Sequence, residues 1–124
     1  MFGVCDEFTR EDLQAWLPLV PVAKPPIGPK FLRLAPGLYR AAVSSDLDLL
    51  HLHGLWQYPS RVALKWRRRT GKPVIISPRG MLDPWAIQNA RWKKSLVGAA
   101  FEHSNLQSSS CIHALNESEA RTIR

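Results

Sequence analysis

The chain predicts an α/β protein built on a parallel sheet. Three observations carry this. Two short runs, the mostly apolar "LDLLHLHG" and the uncharged, β-branched "PVIIS", read as buried strands of such a sheet. Stretches of helical period alternate with them. The resulting order of strand, helix, strand, loop and helix, strand, helix is that of right-handed crossovers between parallel strands.

Residues 1–17 read as a short helix, with Thr9 as cap and Glu11 and Asp12 near its start. Residues 18–36 hold six of the ten prolines, Pro18, Pro21, Pro25, Pro26, Pro29 and Pro36. This favours irregular chain, with "LVPVA" as a short edge strand. The expected division is therefore an irregular segment over residues 1–36 and a folded α/β unit over residues 37–124.

"GLYRAAVSS" suits a short helix, and residues 48–53 a buried strand ended by Gly54. "YPSRVALKWRRRTG" reads as a helix. Pro59 suits its first turn, Gly71 its stop, and Tyr58, Val62 and Trp66 recur on one face. Residues 73–77 are the next strand. Residues 90–108 read as a longer helix whose inner stripe would be Trp92, Leu96, Ala99, Ala100, His103 and Leu106. "CIHAL" is a third strand. "NESEARTIR" starts a helix capped by Asn116, with Glu119 three positions later.

The chain has 124 residues, enough for one domain. No apolar run approaches the roughly 18–20 residues that span a bilayer. No secretory leader core is visible, so an intracellular, cytoplasmic protein is expected. Cys5 and Cys111 are expected to be reduced thiols. Net charge is +7, but residues 61–94 hold ten Lys or Arg against one acid, Asp83. Such a stretch attracts phosphates, whether of nucleic acid, anionic lipid or a small molecule, or is simply a solvated helix face. No helix-turn-helix, zinc-finger or stacking-platform motif accompanies it, so nucleic acid is not expected.

Ligands of parallel sheets bind beyond the C-terminal ends of the strands. "HGLW" and "PRGML" both fall there. His53 and Gly54 end the first strand, where His53 is placed for polar contact with substrate. Trp56 and Tyr58 either stack on a ligand or pack in the core. Arg79 can meet phosphate bidentately or tie down its own loop through Asp83. Gly80 permits positive φ or close ligand approach. Met81, Leu82 and Trp85 line a pocket or anchor the loop. His51, His53, Cys111 and His113 lie near one another across strands, but no zinc-type spacing is present and no metal is expected. Arg67, Arg68 and Arg69 at one helix end, and Lys93 and Lys94 at the start of another, are candidates for an anion or membrane surface.

"DLLHLHGLWQYPS", "GKPVIISPRGMLDPWAI", "RWKKSLVGAAFE" and "CIHALNESEARTIR" together resemble the N-terminal, acceptor-side domain of family 4 glycosyltransferases. The likeness covers about residues 31–124. It implies one Rossmann-like half of a two-domain glycosyltransferase B fold. The activity implied is transfer of a sugar from a nucleotide-sugar donor to a glycan or lipid-linked acceptor, as in bacterial surface-polysaccharide assembly. It also implies transfer commonly with retention and without a bound metal, and no cofactor is expected beyond the nucleotide-sugar donor; a peripheral place at the inner face of the membrane is a separate expectation. Where many members carry a His in the second loop, this chain has Arg79. The donor-side domain with its paired glutamates has no counterpart here, so a fragment inactive by itself is expected. The competing expectations are a non-catalytic basic module binding anionic membrane or nucleic acid, and an inactive remnant. With three strands and an open sheet edge, the chain is also expected to self-associate.

Overall fold

The computed structural model describes residues 2–7, 9–15, 21–28, 32–89 and 91–123. A three-stranded parallel sheet forms the centre: β3 (Leu50–His53), β4 (Val74–Ser77) and β5 (Cys111–Ile112), in that spatial order. Its register pairs Leu52 with Ile76 and His53 with Ser77, then Ile76 with Ile112. A separate parallel pair precedes it, β1 (Phe2–Val4) with β2 (Val22–Lys24). The α/β class and the parallel sheet are as expected.

Helices α3 (Tyr58–Thr70), α5 (Arg91–Val97) and α6 (His103–Ser108) belong to the crossovers. A connection from β3 to β4 to β5 that always steps the same way lays its helices on one face. That face is apolar. Leu52, Val74 and Ile76 meet Val62, Ala63 and Trp66 of α3 in one buried cluster. The expected face of Tyr58, Val62 and Trp66 therefore does point inward. Helix α2 (Pro36–Ser44) packs on α3 and carries Leu38 and Ala42 into the same core. Strand alternation turns the neighbouring residues, His51, His53, Cys111 and His113, to the other face, where all four are exposed.

The ends of α3 follow the sequence closely. Pro59 lies in its first turn. Gly71 ends it at φ 70°, with its N–H donated to the Arg67 carbonyl at 2.8 Å. A Cβ there would meet open space, so the cost of Gly71→Ala is backbone strain alone. We expect about 1 kcal/mol of destabilisation in urea unfolding. An unchanged midpoint would contradict it.

Three expectations are corrected. First, the stretch 1–36 is not simply irregular. It holds β1, the helix α1 (Thr9–Ala15) and β2, which form a small β–α–β unit. Thr9 does not act as the expected cap; its hydroxyl accepts the Asp6 N–H at 2.7 Å and donates to the Asp6 carboxylate at 3.0 Å. Of the expected strand "LVPVA", Leu19 and Val20 lie outside the described residues, and β2 begins at Val22. Second, "CIHAL" is a strand only over Cys111–Ile112. Third, the long helix is turned over. A π turn (Gly98–Glu102) joins α5 to α6. Val97, Gly98, Glu102 and Asn105 face inward, while Trp92, Leu96, Ala99, Ala100 and His103 are exposed. Leu106, the last of the expected stripe, does pack against the core.

Among the described residues β3 pairs with a strand on one side only. Residues of β3 line a cavity of about 620 Å³ together with Phe2, Gly3 and Val4 of β1. An unpaired apolar edge is a template for other strands. We expect concentration-dependent self-association in light scattering. A monodisperse monomer that melts cooperatively would contradict it.

Candidate functional site

The C-terminal ends of β3 and β4 carry two loops, residues 54–57 and 78–83. Both need left-handed backbone. Gly54 and Gly80 have φ of 80° and 75°, and Trp56 and Arg79, which are not glycine, have 65° and 55°. Non-glycine residues in this region store strain that the surroundings must hold in place. The holding contacts are specific. The Gly54 N–H reaches the Ser77 carbonyl at 2.9 Å. The Leu55 N–H points at the Met81 sulfur at 3.0 Å, and the Trp56 indole donates to the Met81 carbonyl at 3.3 Å. Met81 thus laces the two loops together, and with Trp56 it packs against the core.

Two buried carboxylates from downstream helices complete the frame. Glu102, fully buried, accepts the Trp56 N–H at 2.6 Å and the Asn105 side-chain amide at 3.0 Å. Burial pushes its pKa up, against the pull of the hydrogen bonds from Asn105, Trp56 and Ser60 and of the nearby His103. Glu119, 3% exposed, lies on α7 (Glu117–Ile123). One oxygen accepts the Gly80 N–H at 2.6 Å and the other the Leu115 N–H at 2.8 Å. Asn116 caps α7 as expected, its side chain accepting the Glu119 N–H at 2.9 Å. Each left-handed loop is thereby held at a backbone N–H by one carboxylate. Neither Glu102 nor Glu119 was expected at the site. The signal for Glu102 is its solitude: it is the one acid between residues 84 and 116.

In front of this frame stand His53 and Arg79, both exposed. The Arg79 guanidinium donates to His53 Nδ1 from Nε at 3.2 Å and from Nη2 at 3.0 Å. Arginine has only donors, so Nδ1 must be the acceptor and the neutral ring carries its hydrogen on Nε2. Desolvation lowers the His53 pKa, helped by His51, Arg79 and His113. The pair therefore offers a permanent cation beside a neutral imidazole that can donate at Nε2. Such a pair can hold a phosphate or carboxylate and contact a hydroxyl next to it. Arg79 is directed at His53 and not at Asp83. Arg79→Ala should raise the His53 pKa while leaving it below 6.5, because desolvation and His51 still act. An NMR pH titration of the imidazole checks this; a fall would contradict it.

The other candidates are dispersed. His51 Nε2 and His113 Nδ1 lie 2.8 and 3.0 Å from the Ser77 hydroxyl, which bridges them beneath the sheet edge. Among the described residues no three metal-ligating side chains are grouped to hold an ion. Trp85 is 70% exposed, so it neither anchors the loop nor closes a pocket. Arg67, Arg68 and Arg69 end α3 at the opposite, N-terminal edge of the sheet, where Arg67 donates to Ser110 at 2.7 Å. They share no surface with His53 and Arg79. Lys94 donates to the Ala86 carbonyl, and the Lys93 side chain lies outside the described residues.

No helix among the described residues is long and apolar enough to cross a membrane. No curated protein and no solved structure matches the chain. The model of one family, described as a glycosyl transferase 4-like domain, matches residues 4–124. That match takes in the sheet, both loops and the two carboxylates that hold them, and the chain belongs to the glycosyl transferase 4-like family.

Proposed function

We propose that this chain forms the acceptor side of a sugar-transfer site. It takes a glycan or lipid-linked acceptor at the edge of β3 and β4, and a donor-side domain holds the nucleotide-sugar. The observation that carries this is the His53–Arg79 pair, set between two loops of positive φ at the ligand edge of a parallel sheet. Arg79 neutralises a diphosphate or acidic sugar, and His53 Nε2–H orients a hydroxyl beside it. Gly54 and Gly80 keep the loop backbones bare of side chains there. The setting supported by the resemblance is assembly of bacterial surface polysaccharide at the cytoplasmic face of the membrane.

The same reading makes the chain inactive alone. The test is transfer of radiolabelled sugar from nucleotide-sugars to membrane extracts, with and without a donor-side domain of the family. Transfer is expected only with both parts present, and it should fall about tenfold or more in Arg79→Ala. Transfer by the chain alone would refute the half-site reading. Salt-sensitive binding to DNA with no transfer in any mixture would favour a basic binding module instead.

A further inference from the structure

A buried hydroxyl joins two histidines on the sheet face opposite α3. His51 stands two residues before His53 on β3, and so on the same face. The His113 N–H donates to the Ile76 carbonyl at 2.7 Å, which carries the pairing of β5 one residue on and sets His113 beside Ser77. Ser77 is fully buried, with His51 Nε2 at 2.8 Å and His113 Nδ1 at 3.0 Å from its hydroxyl. Both histidines are exposed, and among the described residues His51 Nδ1 and His113 Nε2 have no hydrogen-bond partner.

The count of hydrogens fixes what this arrangement can do. A hydroxyl has one hydrogen to give. It donates to one facing nitrogen and accepts from the other. When both rings are neutral, the ring that gives its hydrogen to Ser77 has none on its free nitrogen. The ring that accepts from Ser77 carries its hydrogen on the free nitrogen. The pair then offers one donor and one acceptor. A single proton from solvent fills the bare nitrogen, so that both free nitrogens donate and the pair carries one positive charge. Imidazole changes charge within the physiological range, so an arriving anion can draw that proton in. A phosphate has the oxygens to accept from both rings.

The surroundings suit this. The His53 ring centroid lies 4.2 Å from that of His51, and Arg79 donates to His53 from Nη2 at 3.0 Å. Cys111 lies two residues before His113 on the same face. Arg33 lines the same cavity as His51 and is paired with Asp6 at 3.1 Å. Glu119 on α7 has both oxygens on backbone N–H groups, and Asp83, ahead of α4 (Pro84–Gln88), keeps its carboxylate beside Gly80. Among the described residues neither His51 nor His113 is ion-paired, so no carboxylate holds the proton there in advance. We propose that His51, Ser77 and His113 form a phosphate clamp beside the His53–Arg79 pair, loaded by one proton that the two imidazoles share through the serine. The clamp deepens the sugar-transfer reading and rests on it only for the source of its phosphate.

The test is calorimetric titration of the full chain with sulfate in buffers of different ionisation enthalpy. Sulfate does not titrate near neutral pH, so any proton taken up goes to the protein. Uptake of about one proton per sulfate is expected just above neutral pH, with NMR placing it on His51 and His113. His51→Gln with His113→Gln should abolish the uptake and weaken binding about tenfold while circular dichroism stays unchanged. Ser77→Ala keeps both rings and breaks the link, so the two imidazoles should then titrate independently. No proton uptake, uptake that survives the double substitution, or uptake that NMR places on His53 would overturn the proposal. A nucleoside diphosphate and an isoprenyl diphosphate, titrated in the same way, separate the two sources; proton-linked binding of either supports the clamp. Proton-linked binding without sugar transfer in any mixture also supports the clamp and counts only against the acceptor-site reading.

Discussion

Replacing Glu119 by alanine is expected to destabilise the chain by roughly 2–5 kcal/mol, the largest effect of any single truncation at the site. The carboxylate is nearly inaccessible and serves two backbone donors, Gly80 and Leu115, at 2.6 and 2.8 Å. Alanine leaves both N–H groups without a protein partner, and each such loss costs about 1–3 kcal/mol when buried. Arg79 and Gly80 then lose the contact that holds their left-handed backbone. Glu119→Gln separates geometry from charge. Its one carbonyl can serve one N–H, while its NH₂ group opposes the other, so an intermediate loss is expected. Urea unfolding measures the stability. Hydrogen exchange at the Gly80 amide measures the local effect, and it should rise in both variants. Wild-type protection at Gly80 in Glu119→Ala would show that the loop is held by something else.

Glu102→Ala is expected to cost roughly 2–4 kcal/mol for the same physical reason, since the Trp56 N–H and the Asn105 amide both lose their acceptor. This carboxyl adds a pH signature. Burial raises its folded-state pKa above the ordinary 4.5, so the folded chain binds this proton more tightly than the unfolded chain. The stability contributed by that proton is complete below 4.5 and is lost as pH rises through the raised folded value. Glu102→Gln cannot titrate. The stability of wild type relative to Glu102→Gln should therefore fall with increasing pH across that window and level off above it. A difference independent of pH, or one that grows with pH, would contradict the assignment.

How much of this was readable beforehand differs by element. The sheet was readable because β4 is an unbroken apolar run and β3 carries Leu50 and Leu52, but β3 is buried on one face only: the structure buries Leu52 and exposes His51 and His53, against the expectation of a buried strand over residues 48–53. The end of α3 was readable because Gly71 answers a local need for positive φ. Strand β1 was not readable. "FGV" is too short to show a period, and its partner β2 lies among prolines. The long helix shows a deeper limit. Its apolar stripe of Trp92, Leu96, Ala99 and Ala100 is real, but apolar periodicity alone points it at the core. The structure points it outward, because a buried hydrogen-bonding job at Glu102 outweighs the apolar face and the π turn adjusts the register.

At the candidate site, the two loops were located by topology, whereas the frame that shapes them was not. In the sequence, Glu119 stands only as the residue three positions after the helix cap Asn116. Its second role, across 39 residues to Gly80, depends on how β4 and α7 meet. Met81 was expected to face a ligand or anchor its loop; its sulfur and carbonyl are spent on the neighbouring loop. His53 and Arg79 were each singled out, but their pairing follows from strand register, which sets His53 beside Ser77 and brings the following arginine alongside.

The central claim is that the edge formed by His53 and Arg79 receives the acceptor. It is tested most directly by NMR during titration with an oligosaccharide carrying a terminal diphosphate. Saturable shifts are expected at the His53 imidazole and at the Gly54 and Gly80 amides, with affinity weakened about tenfold in Arg79→Ala. Shifts confined to the Arg67–Arg69 end of α3, or equal binding by Arg79→Ala, would contradict the account.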